Sequence, residues 1–424
     1  MAGYDPGNAI GPAYNAKFFL AETENDASET HVEEDNYAAA LQDMESAGVD
    51  ITSSSLGYTL FDAGQTSYTY ANMNGTTTIV AQAANVAFQR GVTSFTAAGN
   101  YNNDGWLIIN SPADALNIIS VGAVTSGNIL ASFSLPGPTA DGRIKPEVVA
   151  MGQDNYIALT NGVSYGTGSG TSFATPIAAG IAALLKSCWT HLTNVQIRKI
   201  FLECGDNSGN PTNGRGWGLI SAKRVISYPN LSAVDSVYRV LNKIFINSNG
   251  VNPSTVMLYY RIGSGSYQST AMNYDGTLKY NFTLPSSSNG TTVEFYFTYK
   301  TSSGGSVQEP TSSTYKFSYG SNDILTSVNE RNEIPVQFDL SQNYPNPFNP
   351  STVISYRISI ISKVTLKVYD LLGREVSTLV NEEQQPGVYN SQFSILNSQL
   401  SSGVYFYRLR AGDFSETKKM ILIK

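Results

Sequence analysis

Between residues 17 and 227, short apolar runs of strand length alternate with longer segments whose apolar residues recur at helical spacing. The runs at 17–21, 49–55, 92–98 and 118–124 predict strands. Residues 32–47 predict a helix that offers Ala39, Ala40, Met44 and Ala47 to one face. Residues 76–90 predict a second, with Ile79, Val80, Ala83, Val86 and Ala87 at helical spacing. An unbroken apolar stretch from Ile177 to Leu185 makes residues 175–186 a buried helix. Alternation of strands and helices implies an α/β domain on a parallel sheet, because a parallel pair needs a crossover long enough to carry a helix.

The pattern changes near Tyr228 and Pro229. Helical periodicity stops, and runs at 255–260, 279–284 and 293–299 alternate like half-buried strands, separated by turns such as Ser302-Ser303-Gly304-Gly305. Residues 228–320 therefore read as a small all-β sandwich. Its tyrosines suit either a glycan-binding face or, more plainly, an ordinary sheet surface. Residues 321–340 are polar without sustained period and read as a linker. Alternation resumes over 341–424, with Val364, Leu366 and Val368 on one face, after a Pro-rich entry that cannot continue a strand ladder.

Composition narrows the picture. A chain of 424 residues suits two or three domains. Charged residues are only 14%, with Ser, Thr, Asn, Gly and Tyr filling the polar surface, which fits an extracellular protein. A net charge of −7 and a pI near 5.0 argue against nucleic acid as a partner. No apolar run of transmembrane length and no signal-peptide pattern is visible. Cys188 and Cys204 fit neither a zinc site nor a disulfide framework, leaving two free thiols or a single bridge.

The candidate chemistry sits at Gly170-Thr171-Ser172-Phe173-Ala174-Thr175-Pro176. A serine at the mouth of a buried helix is held rigidly where the helix N-terminus favours developing negative charge. Serine needs a neighbouring base to become a nucleophile. This segment resembles the nucleophile motif of the subtilisin-like serine peptidases. Five further segments follow the same family pattern in order: Ser53-Ser54-Ser55-Leu56-Gly57, Thr96-Ala97-Ala98-Gly99-Asn100, Ser111-Pro112-Ala113 with residues 118–124, Ser132-Phe133-Ser134-Leu135-Pro136-Gly137-Pro138 with Asp141-Gly142-Arg143-Ile144-Lys145-Pro146-Glu147, and Gly216-Trp217-Gly218. The resemblance implies a partial subtilisin-like domain at 1–227. In it Ser172 is the nucleophile and Asn100 the oxyanion donor, while Ser55, Leu56, Gly57 and Gly99 hold a polypeptide substrate. Calcium follows only by family analogy, and no ligand cluster is readable.

The family places its aspartate and histidine before the substrate-binding strand, and neither motif occurs before Ser55. The opening, Met1-Ala2-Gly3-Tyr4-Asp5-Pro6-Gly7, resembles the segment just after the family's histidine helix, so the chain is expected to begin past it. Such a domain lacks its first strands and is expected to fold poorly or expose a sheet edge. His31 follows Asp5 and Asp26, but Thr30-His31-Val32-Glu33 reads as a capping box with His31 merely opening the helix. His191, in the turn Cys188-Trp189-Thr190-His191, reads as a helix-end residue. Gly162-Val163-Ser164-Tyr165-Gly166 matches a nucleophile elbow, yet more glycines follow it rather than a helix.

Leu340-Ser341-Gln342-Asn343-Tyr344-Pro345-Asn346-Pro347-Phe348-Asn349-Pro350, the segment 368–376, Ser402-Gly403-Val404-Tyr405-Phe406-Tyr407 and the ending Lys418-Lys419-Met420-Ile421-Leu422-Ile423-Lys424 resemble the C-terminal sorting domain of type IX secretion substrates. That resemblance implies export across the outer membrane, the type IX machinery as partner, and a secreted or cell-surface location. Three readings follow: a secreted peptidase whose start lies upstream, a catalytically dead subtilase serving as a surface module, or an adhesin acting through its β-rich half. In each, the chain as it stands is expected to be inactive.

Overall fold

The computed structural model describes residues 1, 3–25, 27–102, 105–326, 338–340, 342–343, 346–358, 360–384, 387–395 and 400–423. Ala2, Asp26, the linker residues 327–337, and Ser341, Tyr344, Pro345 and Lys424 of the motifs above lie outside the described residues. The chain forms two compact units, Met1–Glu330 and Arg331–Lys424.

The first unit opens on a short hairpin, β1 (Tyr4–Asp5) and β2 (Ala9–Ile10). Then follow α1 (His31–Ser46), β3 (Ile51–Ser54), α2 (Ile79–Gln89), β4 (Thr93–Ala97), β5 (Ile119–Val124) and β6 (Val148–Met151). A hairpin of β7 (Asn155–Ala158) and β8 (Tyr165–Gly168) leads into α3 (Thr171–Cys188), α4 (Asn194–Cys204) and α5 (Ala222–Ser227). The sheet β3-β4-β5-β6 is parallel throughout, as the alternation requires. Strands β4 and β5 are buried at every position. Ala174, Ala178, Ala182 and Leu185 of α3 share a core with Phe95, Val121, Ala123 and Val148. Small residues along α3 let it lie close against the sheet. By length and composition α3 could cross a membrane, contrary to the expectation that no run is long enough; here it is the core helix of the α/β layer.

Three expectations are corrected. Residues 17–21 form no strand. Strand β3 pairs only with β4 among the described residues, and this run does not add to its free edge. Phe18, Phe19 and Leu20 stand in solvent, Leu20 at 87% exposure. Helix α1 begins at His31 with the capping box on Thr30 and Glu33, but its buried face is Glu33, Glu34, Tyr37 and Leu41. Ala39 and Ala47 are exposed. The face turns because Glu34 has partners inside: Tyr68 Oη donates to its Oε2 at 2.8 Å and His31 Nδ1 lies 2.6 Å from the same oxygen. Helix α3 starts at Thr171 rather than at 175, which places Ser172 within its first turn.

From Asn230 the first unit is antiparallel β. A four-stranded sheet carries Asn230–Val234, Val237–Ile244, Asn273–Tyr274 and Lys279–Thr283. A six-stranded sheet centres on Met257–Ile262, Thr292–Lys300 and Tyr315–Ser318. Their buried Leu241, Leu258, Phe295 and Phe297 belong to the same cluster as the α/β core. Tyr228 bridges the two regions: its hydroxyl donates to Ile324 O at 3.1 Å and its ring meets Tyr315 edge-on at 5.6 Å. Composition changes at residue 228, but apolar packing does not stop there. The start of the expected linker is a strand, Leu325–Thr326, and its end another, Asp339–Leu340.

In the second unit, sheets of three and four strands enclose Leu340, Ile354, Val364, Leu366, Val368, Tyr407 and Leu409. The alternation of Val364, Leu366 and Val368 is thus the buried face of Ser362–Tyr369.

Candidate functional site

A cleft of about 290 Å³ collects residues from widely separated stretches of the first unit. Ser55, Leu56 and Gly57 line it beyond the end of β3, Gly99 and Asn100 beyond the end of β4, and Ser172 from the first turn of α3. All six residues that the motifs single out therefore meet in one place. Parallel strands cause this, because their C-terminal ends open on the same side of the sheet.

Ser172 is fixed by an irregularity in its own helix. Pro176 has no N–H, so the carbonyl four residues earlier, that of Ser172, lacks its helical donor. Ser55 Oγ supplies one at 3.0 Å. The sequence places Pro176 at the start of a helix, where proline is favoured; the structure instead admits it one turn in and satisfies the freed carbonyl from across the cleft.

Asn100 is oriented by the residue before the serine. Its Oδ1 accepts the Thr171 N–H at 2.9 Å and the Thr171 hydroxyl at 3.1 Å. Thr171 Oγ1 in turn accepts the Gly99 N–H at 3.3 Å. With the amide oxygen occupied, the amide nitrogen faces the Gly170–Ser172 turn, 3.6 Å from where a Cβ on Gly170 would stand. A donor held in advance beside a serine stabilises an oxyanion without reorganising.

Asn110 and Glu29 are among the lining residues that sequence reasoning missed. The Asn110 amide fills the space that side chains at Gly57 and Gly99 would need: a Cβ on Gly57 would lie 2.0 Å from its Nδ2, and one on Gly99 (φ +106°) 2.9 Å. Asn110 Oδ1 is buried without a hydrogen-bond partner. Its only signal in the chain is adjacency to Ser111-Pro112. Glu29 comes from the aperiodic stretch before α1. Burial, then Glu33, Glu24 and Asp62, push its carboxyl up to about 7.

Neither histidine reaches the serine. His31 Nδ1 faces Glu34, and its Nε2 lies 3.1 Å from Thr66 O. His191 Nε2 lies 2.9 Å from Asn230 Oδ1, and burial lowers its pKa. Asp5 accepts from Tyr165 and Asn8. Ser164 lies in the turn between β7 and β8, bonded to Asn161 at 2.6 Å, and not at a strand-to-helix elbow. Cys188 and Cys204 are both free thiols. Among the described residues no three His, Cys, Asp or Glu side chains converge as metal ligands, so nothing here is assigned to calcium.

Comparison with known proteins gives the following likenesses. The Subtilase family matches residues 1–218, a secretion system C-terminal sorting domain matches 342–424, and carbohydrate binding module family 56 matches 240–311. M-protease of Shouchella clausii (strain KSM-K16) is 39% identical over 142 residues, 34% of this chain and 34% of its own. Subtilisin BL of Lederbergia lenta is 39% identical over 142 residues, 34% of this chain and 49% of its own. The chain thus spans a third to a half of these curated relatives' lengths. Among solved structures, MycP1 from Mycobacterium smegmatis is 18% identical with a TM-score of 0.38, over 49% of this chain and 59% of that one.

Proposed function

This chain belongs to the subtilase family, and from that premise we propose that it is a serine endopeptidase with Ser172 as nucleophile. Its C-terminal sorting domain makes it a type IX secretion substrate, secreted or held at the cell surface. The observation that carries the catalytic assignment is the Thr171 clamp on Asn100 Oδ1, which leaves the amide nitrogen facing the serine turn.

Ser172 Oγ attacks the peptide carbonyl carbon, and the carbonyl electron pair moves onto oxygen. The Asn100 amide and a backbone N–H at the start of α3 stabilise that oxyanion. A base that takes the Ser172 hydroxyl proton and passes it to the scissile nitrogen lets collapse expel the amine and leave an acyl-enzyme on Ser172. Water then hydrolyses the acyl-enzyme to free the acid and restore the hydroxyl. Ser55, Leu56, Gly57 and Gly99 hold the extended substrate backbone and wall its first pocket. The hydroxyl proton needs an acceptor, and His31 and His191 are both engaged elsewhere. The chain by itself is therefore inactive in peptide hydrolysis. On this reading residues 1–227 are the peptidase part, followed by two small sandwiches, the first of which takes in the strand Leu325–Thr326.

An activated peptide ester, offered with imidazole as proton acceptor, tests the assignment through the mass of the acylated serine peptide. Acylation should fall on Ser172, and Asn100→Ala should slow it about 100- to 1,000-fold. An adduct on any other serine, or no effect of the variant, overturns the roles given.

A second reading concerns the middle region, which the carbohydrate-binding family matches. Tyr259 and Tyr296, cross-strand partners, stack at 4.8 Å and 5°, with Tyr267 5.7 Å from Tyr296. Arg261 and Glu294 pair beside them at 2.6 Å. Aromatic faces next to planar polar groups suit sugar rings, and this region is read as attaching the enzyme to polysaccharide. Tyr296→Ala should weaken retention on insoluble polysaccharide about fivefold, measured by depletion from solution; unchanged retention rejects the surface.

A further inference from the structure

We propose that Glu29 makes the cleft beside Ser172 selective for peptides carrying a positively charged side chain. The inference rests on the peptidase reading and names the substrate class of that same site.

Glu29 is the one charged residue among the described residues that line the cleft; Leu56, Leu60, Leu135 and Asn110 are uncharged neighbours. Its backbone is pinned in both directions against Asp62: the Glu29 N–H donates to Asp62 Oδ2 at 3.0 Å, and the Asp62 N–H donates to Glu29 O at 2.9 Å. The chain thus spends two hydrogen bonds on holding this acid at the cleft wall.

Three further acids, Glu33, Glu24 and Asp62, add negative charge near it. Glu24 lies behind, taking the Tyr58 hydroxyl on its Oε1. Glu33 comes from the first turn of α1 and Asp62 from the loop after β3. The neighbouring imidazole, His31, is turned to Glu34. Among the described residues no Lys or Arg forms an ion pair with Glu24, Glu29, Glu33 or Asp62. These four acids do not converge as a metal-ligand group either. A half-buried carboxylate among like charges, open to a peptide cleft, lacks only a cation, and a substrate lysine or arginine brings one.

The pH dependence follows with a definite sign. Burial and the three neighbouring acids hold Glu29 near 7. Below that value it takes up a proton and offers a cation nothing; above it the carboxylate is ionised. Lysine stays charged throughout this range. Preference for the cationic peptide should therefore grow as pH rises through about 7, with release of a proton on binding.

The test measures binding to the full chain, so it needs no turnover. Fluorescent N-acetylated peptides of otherwise neutral sequence carry lysine, or acetyl-lysine as the neutral match, at each position in turn. At one position the lysine peptide should bind about fivefold tighter at pH 8.5, an effect of the size expected for a partly exposed pair. The ratio should approach one at pH 5.5, and at pH 8.5 in Glu29→Gln. Equal binding of both members at every position and pH overturns the inference while leaving the peptide cleft standing. A lysine preference that persists in Glu29→Gln assigns the selectivity to another group and also overturns it. Failure of every peptide to bind overturns the peptidase reading, and this inference with it.

Discussion

Imidazole added to the full chain should accelerate acylation of Ser172 in proportion to the concentration of its free base, while Ser172→Ala gives no response. The deficit proposed above is large. Removing the histidine from a subtilisin-type triad costs about a millionfold in kcat, and here both histidines of the chain are committed to Glu34, Thr66 and Asn230. A diffusing base recovers only part of that, because it lacks the high effective molarity of a positioned group. A gain of about 10- to 100-fold at high imidazole concentration is the expected size, at or below the lower end of the about 100- to 10,000-fold that a positioned general base supplies. The pH profile should follow imidazole itself, rising through its own pKa. A saturable rate independent of imidazole, lost in His31→Ala or His191→Ala, would show that a resident histidine moves to the serine and would end the incomplete-triad reading.

The sequence announces this site and hides its supports, for separable physical reasons. Ser172, Asn100 and Ser55-Leu56-Gly57 are legible because local motifs carry them and a parallel sheet brings strand ends together. The start of α3 is placed too late because the apolar run begins only at Ile177, whereas the helix opens at Thr171 and takes Pro176 one turn in, with Ser55 bonding the freed carbonyl. The face of α1 is misread because two glutamates count as solvent-facing until Tyr68 and His31 are seen on Glu34. Residues 17–21 have a strand's composition, but composition does not supply a neighbour to pair with. Glu29 and Asn110 lie in loops, where no periodicity reports which way a side chain turns.

The acid and base at the lead into β6 allow a stability prediction of comparable weight. Lys145 and Glu147 are almost wholly buried and face each other at 2.8 Å. Lys145 Nζ also donates to Ala115 O at 2.8 Å. Glu147 takes the Ser120 N–H at 2.9 Å, the Ser120 hydroxyl at 2.6 Å and Arg198 at 3.2 Å. The group thus joins β5, the lead into β6 and α4. Burial alone would raise Glu147, but Lys145, Arg198 and Ser120 together outweigh it and hold the carboxyl below its usual value. Lys145→Met keeps the side-chain volume and strands the carboxylate. Loss of one partner of a buried pair costs about 3–5 kcal/mol, and the lower end is expected because Arg198 remains. Lys145→Met with Glu147→Gln should recover most of it. The pH dependence separates charge from packing. In the parent chain Glu147 adds stability above its unfolded value, lost as pH falls through the lower folded one. In Lys145→Met, burial prevails and raises the carboxyl, so the variant gains relative stability as acid protonates it. Urea unfolding of the first unit should therefore show the gap between parent and variant narrowing from pH 7 to pH 4. A gap constant across that range would mean that the lysine acts by filling space, not by holding a charge.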